Sequence, residues 1–465
     1  MAMFRRLGLG PHIPRERPVP SVYRPLRRAP LSRDSLALWG LLHSQIGIGS
    51  SARGYARLLR QMAPQLLEQD MAAHVQCHAM PLPGRDEVAF PVDSFRQRAI
   101  RNIVVLNPPE LLAGNLFFPA DLMRDTYVIG YWAWELPHIP DDWRPAFNLV
   151  DEVWTCSTFA ARAFRDENGP AGGGTAAHLP SAAGKRVSVL PHVLEDWAHT
   201  PRAQARKALG LESDAFTFLS VFDFASGLYR KNPLGVIAAF RAAFGDGSDG
   251  PNLVLKYHSG DQYPEHEAAV RTAAACCPRI RIISSVLSPQ EMHHLFDGAD
   301  SFISLHRSEG FGLNIAEAMM AGLPVICTAY SGNMDFTSAA NSLLVDWNPV
   351  PLRENEYFGW QGQSWAEPDQ ASAVAAMRHV VEDEAFAQAI GARARAHVLQ
   401  ILSPDAISHK MLDLLHYSEA RCRSGLWGRI SARMRGMLHG SPNASPQARP
   451  GQSGRGRSFR RPPVI

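Results

Sequence analysis

Two acids eight positions apart, Glu309 and Glu317, flank the turn Glu309-Gly310-Phe311-Gly312. Gly310 and Gly312 let the backbone come close to a ligand, where a side chain would stand in the way. The string from Ser301 to Pro324 reads as strand, glycine-rich loop, helix and stop. Leu313 opens the helix, Gly322 suits its end and Pro324 sits just beyond. Free N–H groups at such a helix start, together with the helix dipole, favour a phosphate group. Glu309 lies in the loop and Glu317 one to two turns into the helix, so both can face one opening. A carboxylate in that position is expected to be ionised and to accept hydrogen bonds from hydroxyl groups. Arg230 and Lys231, in Leu228-Tyr229-Arg230-Lys231-Asn232-Pro233, add cations. As a solvated helix start they would sit at the wrong end of the dipole, so they point to a ligand anion nearby. No Asp-x-Asp pair occurs in the chain. With cations present instead of that carboxylate pair, no metal is expected.

Other positions invite chemistry with blander readings beside them. Glu135 follows the aromatic run Tyr131-Trp132-Ala133-Trp134. It is read as an acceptor-side group or, equally, as a surface acid at a strand end. His306 precedes the glycine loop and either touches a ligand or is a structural histidine satisfied by backbone. Gly47-Ile48-Gly49-Ser50-Ser51-Ala52 matches a dinucleotide fingerprint with alanine in third place. Glu68 and Asp70 lie near the spacing such a fold needs. They precede the next expected strand, Ala73–Cys77, instead of ending it, which argues against a nicotinamide cofactor.

These residues need a scaffold of strands and helices. Short apolar runs at 36–42, 103–106, 127–130, 152–154 and 187–190 alternate with helix-like segments. A Gly47-Ile48-Gly49 turn is expected before a helix capped by Ser50 or Ser51. A second series has strands at 216–222, 253–257, 280–283, 301–305, 324–327 and 343–345. Its helices are expected at 232–244, 289–297, 313–321, 370–383 and 385–400. Continuous apolar strands between helices predict parallel sheets covered on both faces. The fold class is α/β, with two doubly wound units. The expected organisation is a basic Pro/Arg-rich arm (1–33), a first domain (34–205) with a Gly-rich insertion (167–186), and a second domain (206–403). A helix (404–420) and a basic tail (421–465) follow.

The Glu309–Glu317 string resembles the Glu-x7-Glu signature of retaining GT-B glycosyltransferases of family 4. The Arg230-Lys231-Asn232-Pro233 stretch, the turn Tyr330-Ser331-Gly332-Asn333, and the segments Tyr131–Glu135 and Val153–Ser157 resemble other landmarks of that family. Together they span roughly residues 35–418. The resemblance implies two Rossmann-like domains facing a central cleft, with the 404–420 helix crossing back to the first. It implies that Glu317 binds a nucleotide ribose and that Glu309 lies near the transferred sugar and diphosphate. The diphosphate falls to Arg230 and Lys231, and the donor is also held by Gly310, Phe311, Gly312, Leu313, His306, Ser331 and Gly332. Across the cleft the loop of Gly47 and Gly49 faces the donor diphosphate. Fixed cations there would stabilise the charge that builds on the leaving group. One departure is that Ala225 and Ser226 occupy the stretch where many members carry a further arginine.

The implied reaction is transfer of a hexose, mannose or glucose, with retention, from a nucleoside-diphosphate sugar to a glycan or lipid-linked hydroxyl. Two other readings are a non-catalytic nucleotide- or glycan-binding module and, further off, an NAD-dependent oxidoreductase.

The chain has 465 residues, 46% of them hydrophobic and 20% charged, as in ordinary soluble proteins. No apolar run spans a bilayer and no signal peptide is evident. The six cysteines form no zinc-ligand spacing and suit a reducing cytoplasm. Residues 1–33 hold eight arginines and one acid, and residues 420–465 hold ten arginines and no acid. Of 47 basic and 44 acidic residues, the body between the arms keeps 29 and 43. An acidic body with basic arms suggests peripheral contact with an anionic membrane at the inner face of the plasma membrane, and no nucleic acid partner.

Overall fold

The computed structural model of the chain describes residues 32–42, 47–63, 66–71, 99–114, 126–165, 184–211 and 214–438. The first half contains β1 (Ser32–Gly40), helix α1 (Gly47–Met62), β2 (Leu67–Asp70), β3 (Ala99–Val105), α2 (Pro108–Gly114) and β4 (Tyr127–Trp132). It continues with β5 (Glu152–Thr155), α3 (Thr158–Phe164), β6 (Arg186–Val189) and α4 (Arg202–Ala208). The strands form one parallel sheet in the order β2-β1-β3-β4-β5-β6. β4 is buried at every position, as expected for a strand covered on both faces.

Three details differ from expectation. Strand β1 begins at Ser32, ahead of the apolar run. Gly47-Ile48-Gly49 forms the first turn of α1 itself, not a turn ahead of it. Ser51 is therefore no cap; its Oγ lies 3.2 Å from the Gly47 carbonyl within the helix. The proposed Ala73–Cys77 strand and most of the 167–186 insertion lie outside the described residues.

The second half starts with β7 (Thr217–Asp223), the short helix α5 (Leu228–Lys231), α6 (Pro233–Phe244), β8 (Asn252–His258), α7 (Pro264–Ala275) and β9 (Ile280–Ile283). Then come α8 (Pro289–Gly298), β10 (Ser301–Ser304), α9 (Leu313–Met320), β11 (Val325–Thr328) and β12 (Leu343–Val345). The order β12-β11-β10-β7-β8-β9 is again all parallel. Phe218, Phe240, Leu253, Ile303 and Ile326 sit in its core, where burial of each large side chain contributes about 1.5–3 kcal/mol. The order of the strands reverses between β7 and β10. In open parallel sheets ligands bind at such a switch point, beyond the carboxyl ends of the strands. The loops leaving β7 and β10 carry Arg230-Lys231 and Glu309-Gly310-Phe311-Gly312.

A two-stranded antiparallel hairpin, β13 (Trp347–Pro351) with β14 (Ser364–Pro368), was not expected. Prolines at 349, 351 and 368 read against strand structure. Helices α10 (Gln370–Glu382), α11 (Glu384–Leu402) and α12 (Pro404–Leu438) complete the chain. The last is far longer than the 404–420 expected, because it runs on through Gly428 and Gly436. Residues up to Glu419 form one compact unit, and Ala420–Ile465 form a second. The residues on which basic membrane contact was expected are outside the described side chains. No helix among the described residues is long and apolar enough to cross a membrane.

Candidate active site

The loop after β7 folds back through a three-residue turn at Phe224–Ser226, in which the Asp223 carboxylate accepts from the Ala225 N–H at 3.0 Å. Gly227, at φ +91°, then admits α5. Arg230 and Lys231 occupy the last turn of this short helix. They do not open α6, so the expected clash with a helix dipole does not arise. Asn232 separates the two helices. It adopts φ +52°, caps α6 by accepting from Gly235 N at 3.2 Å, and donates to the Leu305 carbonyl at 2.9 Å. That last bond fastens α5 to the end of β10.

Arg230 is only 3% exposed. Its guanidinium donates to the carbonyls of Ser226 (2.9 Å) and Ser308 (2.8 Å) and to Glu309 Oε2 (3.1 Å). The Tyr357 ring lies 5.4 Å from its Cζ. Arg230 thus braces the glycine loop from within. Its Nε and Nη1 are thus held by the protein, while Nη2 meets no acceptor among the described residues and is the donor that a diphosphate beside Lys231 would meet. Lys231 Nζ pairs with Glu309 Oε1. Burial alone would raise the Glu309 carboxyl, but the Lys231 and Arg230 charges prevail and hold it at about 2. Burial pulls Lys231 below the ordinary lysine value despite that partner.

Glu309 is held at both ends of its peptide. Its N–H donates to Ser331 Oγ at 2.7 Å, and its carbonyl accepts from Gly332 N at 2.9 Å. Ser331 sits at φ +77°, unusual for a residue with a side chain. A Cβ on Gly332 would lie 2.1 Å from the Gly310 carbonyl oxygen. Gly332 is therefore the packing partner of Gly310. Gly312, at φ +94°, is the N-cap of α9, and no side chain caps that end. The first N–H groups of α9, from Leu313 onward, have no intrahelical acceptor. The phosphate-friendly helix start read from sequence is present in the fold.

Phe311 points inward, packed on Phe336 and, 4.7 Å away, on the His192 ring. Ser51 Oγ lies 2.8 Å from His192 Nδ1. The first turn of α1, with Gly47 and Gly49, thus connects through His192 to the glycine loop. Burial lowers His192 to about 4, so it is neutral. His306 is fully buried between Ser304, the Tyr330 carbonyl and the Asn333 amide, with contacts of 3.1–3.2 Å on both ring nitrogens. Of its two readings, the structural one holds, because neither nitrogen is left for a ligand. His192 and Ser308 were not singled out from sequence, and Asn333 entered only as the last residue of the Tyr330–Asn333 turn.

Glu317, in the second turn of α9, behaves otherwise than expected. Burial pushes its carboxyl up to about 7, and no cation among the described residues offsets that. The expectation of a plainly ionised carboxylate is corrected: desolvation outweighs a helix end several residues away.

The strand ends of the first sheet reach this loop. Ser308 Oγ donates to the Glu135 carbonyl, and Cys156 Sγ to the Gly310 carbonyl at 3.3 Å. The Thr158 N–H donates to Asp335 at 2.6 Å. Glu135 Oε2 accepts from the Tyr357 hydroxyl at 3.1 Å. A Cβ on Gly310 would lie 3.7 Å from Glu135 Oε1. Glu135, Lys231, Glu309 and Gly310 are therefore neighbours. Asp70 does end β2, contrary to the sequence reading, but it is buried and its Oδ1 accepts from Leu42 N at 3.2 Å. That carboxylate serves the turn after β1. Among the described residues no three His, Cys, Asp or Glu side chains group so as to hold a metal ion.

Residues 278–397 match the family model of the glycosyl transferases group 1. No curated protein matches the chain. The structure is similar to Anabaena HepE solved with UDP and glucose, at 13% identity and TM-score 0.57, over 82% of this chain and 99% of that one. It is similar to a sucrose-phosphate synthase from Thermosynechococcus elongatus, at 15% identity and TM-score 0.57, over 83% and 99%. A glycosyltransferase from Rickettsia africae aligns at 12% identity and TM-score 0.55, over 84% and 99%. At such identities the likeness shows the fold, which is GT-B. The family match in the second half and the fold over more than four fifths of the chain make this protein a glycosyltransferase, with a group 1 segment at residues 278–397.

Proposed function

We propose that the protein transfers a hexosyl group, with retention and without a metal, from a nucleoside-diphosphate sugar to a hydroxyl of a glycan or lipid-linked acceptor. One observation carries this reading: the uncapped start of α9 stands beside the buried Lys231–Glu309 pair, with an unpaired Glu317 further along the same helix. The helix start receives the diphosphate. Lys231, a point charge with three donors, can keep Glu309 and still donate to a phosphate oxygen. Arg230 supports it from behind. Glu309, held ionised by those cations, accepts hydrogen bonds from sugar hydroxyls. Glu317 receives the ribose hydroxyls, which replace the water its carboxylate has lost. Metal independence is supported by Lys231 in place of an Asp-x-Asp pair.

HepE was solved with UDP and with UDP-glucose. We take a UDP donor as the first choice and GDP-mannose as the second. A thermal-shift panel of UDP, GDP and ADP sugars, with NADH as control, tests the reading. A ligand at 100 times its Kd adds about 2.7 kcal/mol of stability, an upward shift of several degrees. A shift with NADH and none with any nucleoside diphosphate would refute it.

The raised Glu317 gives a second expectation. Its folded value of about 7 lies above the ordinary 4.5, so ionising it opposes folding. The stability it lends is present below pH 4.5 and is lost as pH rises through 7. Glu317→Gln should therefore stabilise the free protein at pH 8 by on the order of 2–3 kcal/mol. It should also weaken nucleotide binding and remove its dependence on pH between 6 and 8. A variant that melts no higher than wild type, yet binds nucleotide equally well, would contradict both parts.

A further inference from the structure

The loop that connects β13 to β14 carries Tyr357 and reaches the first half of the molecule. Gln363 makes two hydrogen bonds with His138, accepting from its N–H at 3.1 Å and donating to its carbonyl at 2.6 Å. Phe358 packs against Trp134 and Trp143, with ring centroids 6.3 and 6.5 Å away. Gly359, at φ +70°, brings the chain over Pro140, where a Cβ would come within 3.0 Å of Pro140 Cγ. These contacts anchor the loop without any help from the Tyr357 hydroxyl. That hydroxyl instead donates to Glu135 Oε2, while its ring spans Trp134 (6.1 Å) and the Arg230 guanidinium (5.4 Å).

Glu135 follows β4 on a stretch with no regular structure. Its backbone is fixed by Ser308, and one carboxylate oxygen is fixed by Tyr357. Its other oxygen, Oε1, is the one that faces Gly310. An acid tied on one oxygen and turned on the other towards a glycine loop can accept a hydrogen bond from a ligand hydroxyl.

We propose that Tyr357 is a positioning residue that orients Glu135 to receive a hydroxyl of the transferred hexose, so that the hairpin forms the sugar-side wall of the active site. This deepens the donor-site reading above and rests on it. The ligand is the hexosyl part of the sugar nucleotide, and the diphosphate belongs to Lys231 and the start of α9.

Calorimetric titration of the full chain separates these roles. The probes are the sugar nucleotide chosen by the thermal-shift panel and its sugar-free nucleoside diphosphate. Tyr357→Phe should leave the diphosphate Kd within about twofold and weaken the sugar nucleotide about 5- to 10-fold. The ring and its packing remain, so the melting temperature should hold. Glu135→Gln should act in the same way, and the double variant should lose no more than the worse single one. Equal weakening of both ligands, no weakening of either, or additive losses would overturn the proposal. A wild-type protein that binds no nucleoside diphosphate at all would refute the underlying donor-site reading instead.

Discussion

Lys231→Ala should reduce sugar transfer by 100-fold or more while the protein still melts cooperatively. In the proposed reaction the departing nucleoside diphosphate gains negative charge as the glycosidic bond breaks. Lys231 is the more accessible of the two cations there, with 14% of its side chain exposed against 3% for Arg230. A fixed donor aimed at developing charge typically contributes about 2.7–4 kcal/mol to the transition state, or roughly 10²–10³ in rate. The stability cost should be smaller than for a buried charge stripped of all its partners, about 3–5 kcal/mol, since Glu309 keeps Arg230. Lys231→Arg keeps the charge but changes its reach, so it should recover only part of the rate. Initial rates of product formation, beside melting curves, check this. Activity within fivefold of wild type would remove Lys231 from the chemistry.

The larger structural effect is expected from Gly332→Ala. The added Cβ would sit 2.1 Å from the Gly310 carbonyl oxygen, and 2.8 Å from Phe311 N. Both are backbone atoms, so no rotamer change relieves the overlap. One of the two turns must move, and the Ser331 and Gly332 bonds that hold Glu309 move with it. Overpacking commonly costs about 1–3 kcal/mol, occasionally more, and backbone overlap belongs at the upper end. We expect a melting temperature lower by several degrees and transfer activity below detection. Gly247→Ala is the matched control, because a Cβ there meets nothing within 4 Å. If Gly332→Ala were as stable and active as Gly247→Ala, the packed-glycine account of this loop would be wrong.

Most strands of both sheets were legible because they are continuous apolar runs, a pattern that survives any change in the loops. The β10–loop–α9 unit was legible for a different reason: Gly312, Gly322 and Pro324 each carry a conformational demand visible in the residue type. What could not be read was contact across long separations. Arg230 looks like a ligand residue in the sequence, and only the placement of the Ser308 carbonyl 78 positions away turns it into a brace. Glu317 looks ionised until its surroundings prove to lack a cation. Tyr357 gave no signal at all. It lies in a stretch of prolines, glycines and polar residues, and it acquires meaning only because the hairpin carries it to Glu135, 222 positions earlier. The error over Asp70 has the same origin: β2 is short and polar, so it did not read as a strand.

The contacts of the β4–Glu135–His138 stretch with Ser308, Tyr357 and Gln363 also bear on how the enzyme handles its traffic. Together with the Cys156–Gly310 and Thr158–Asp335 bonds, they tie the two halves to each other around the glycine loop. Under the proposed donor reading, any opening of the two halves to admit or release a nucleotide would have to break some of these bonds.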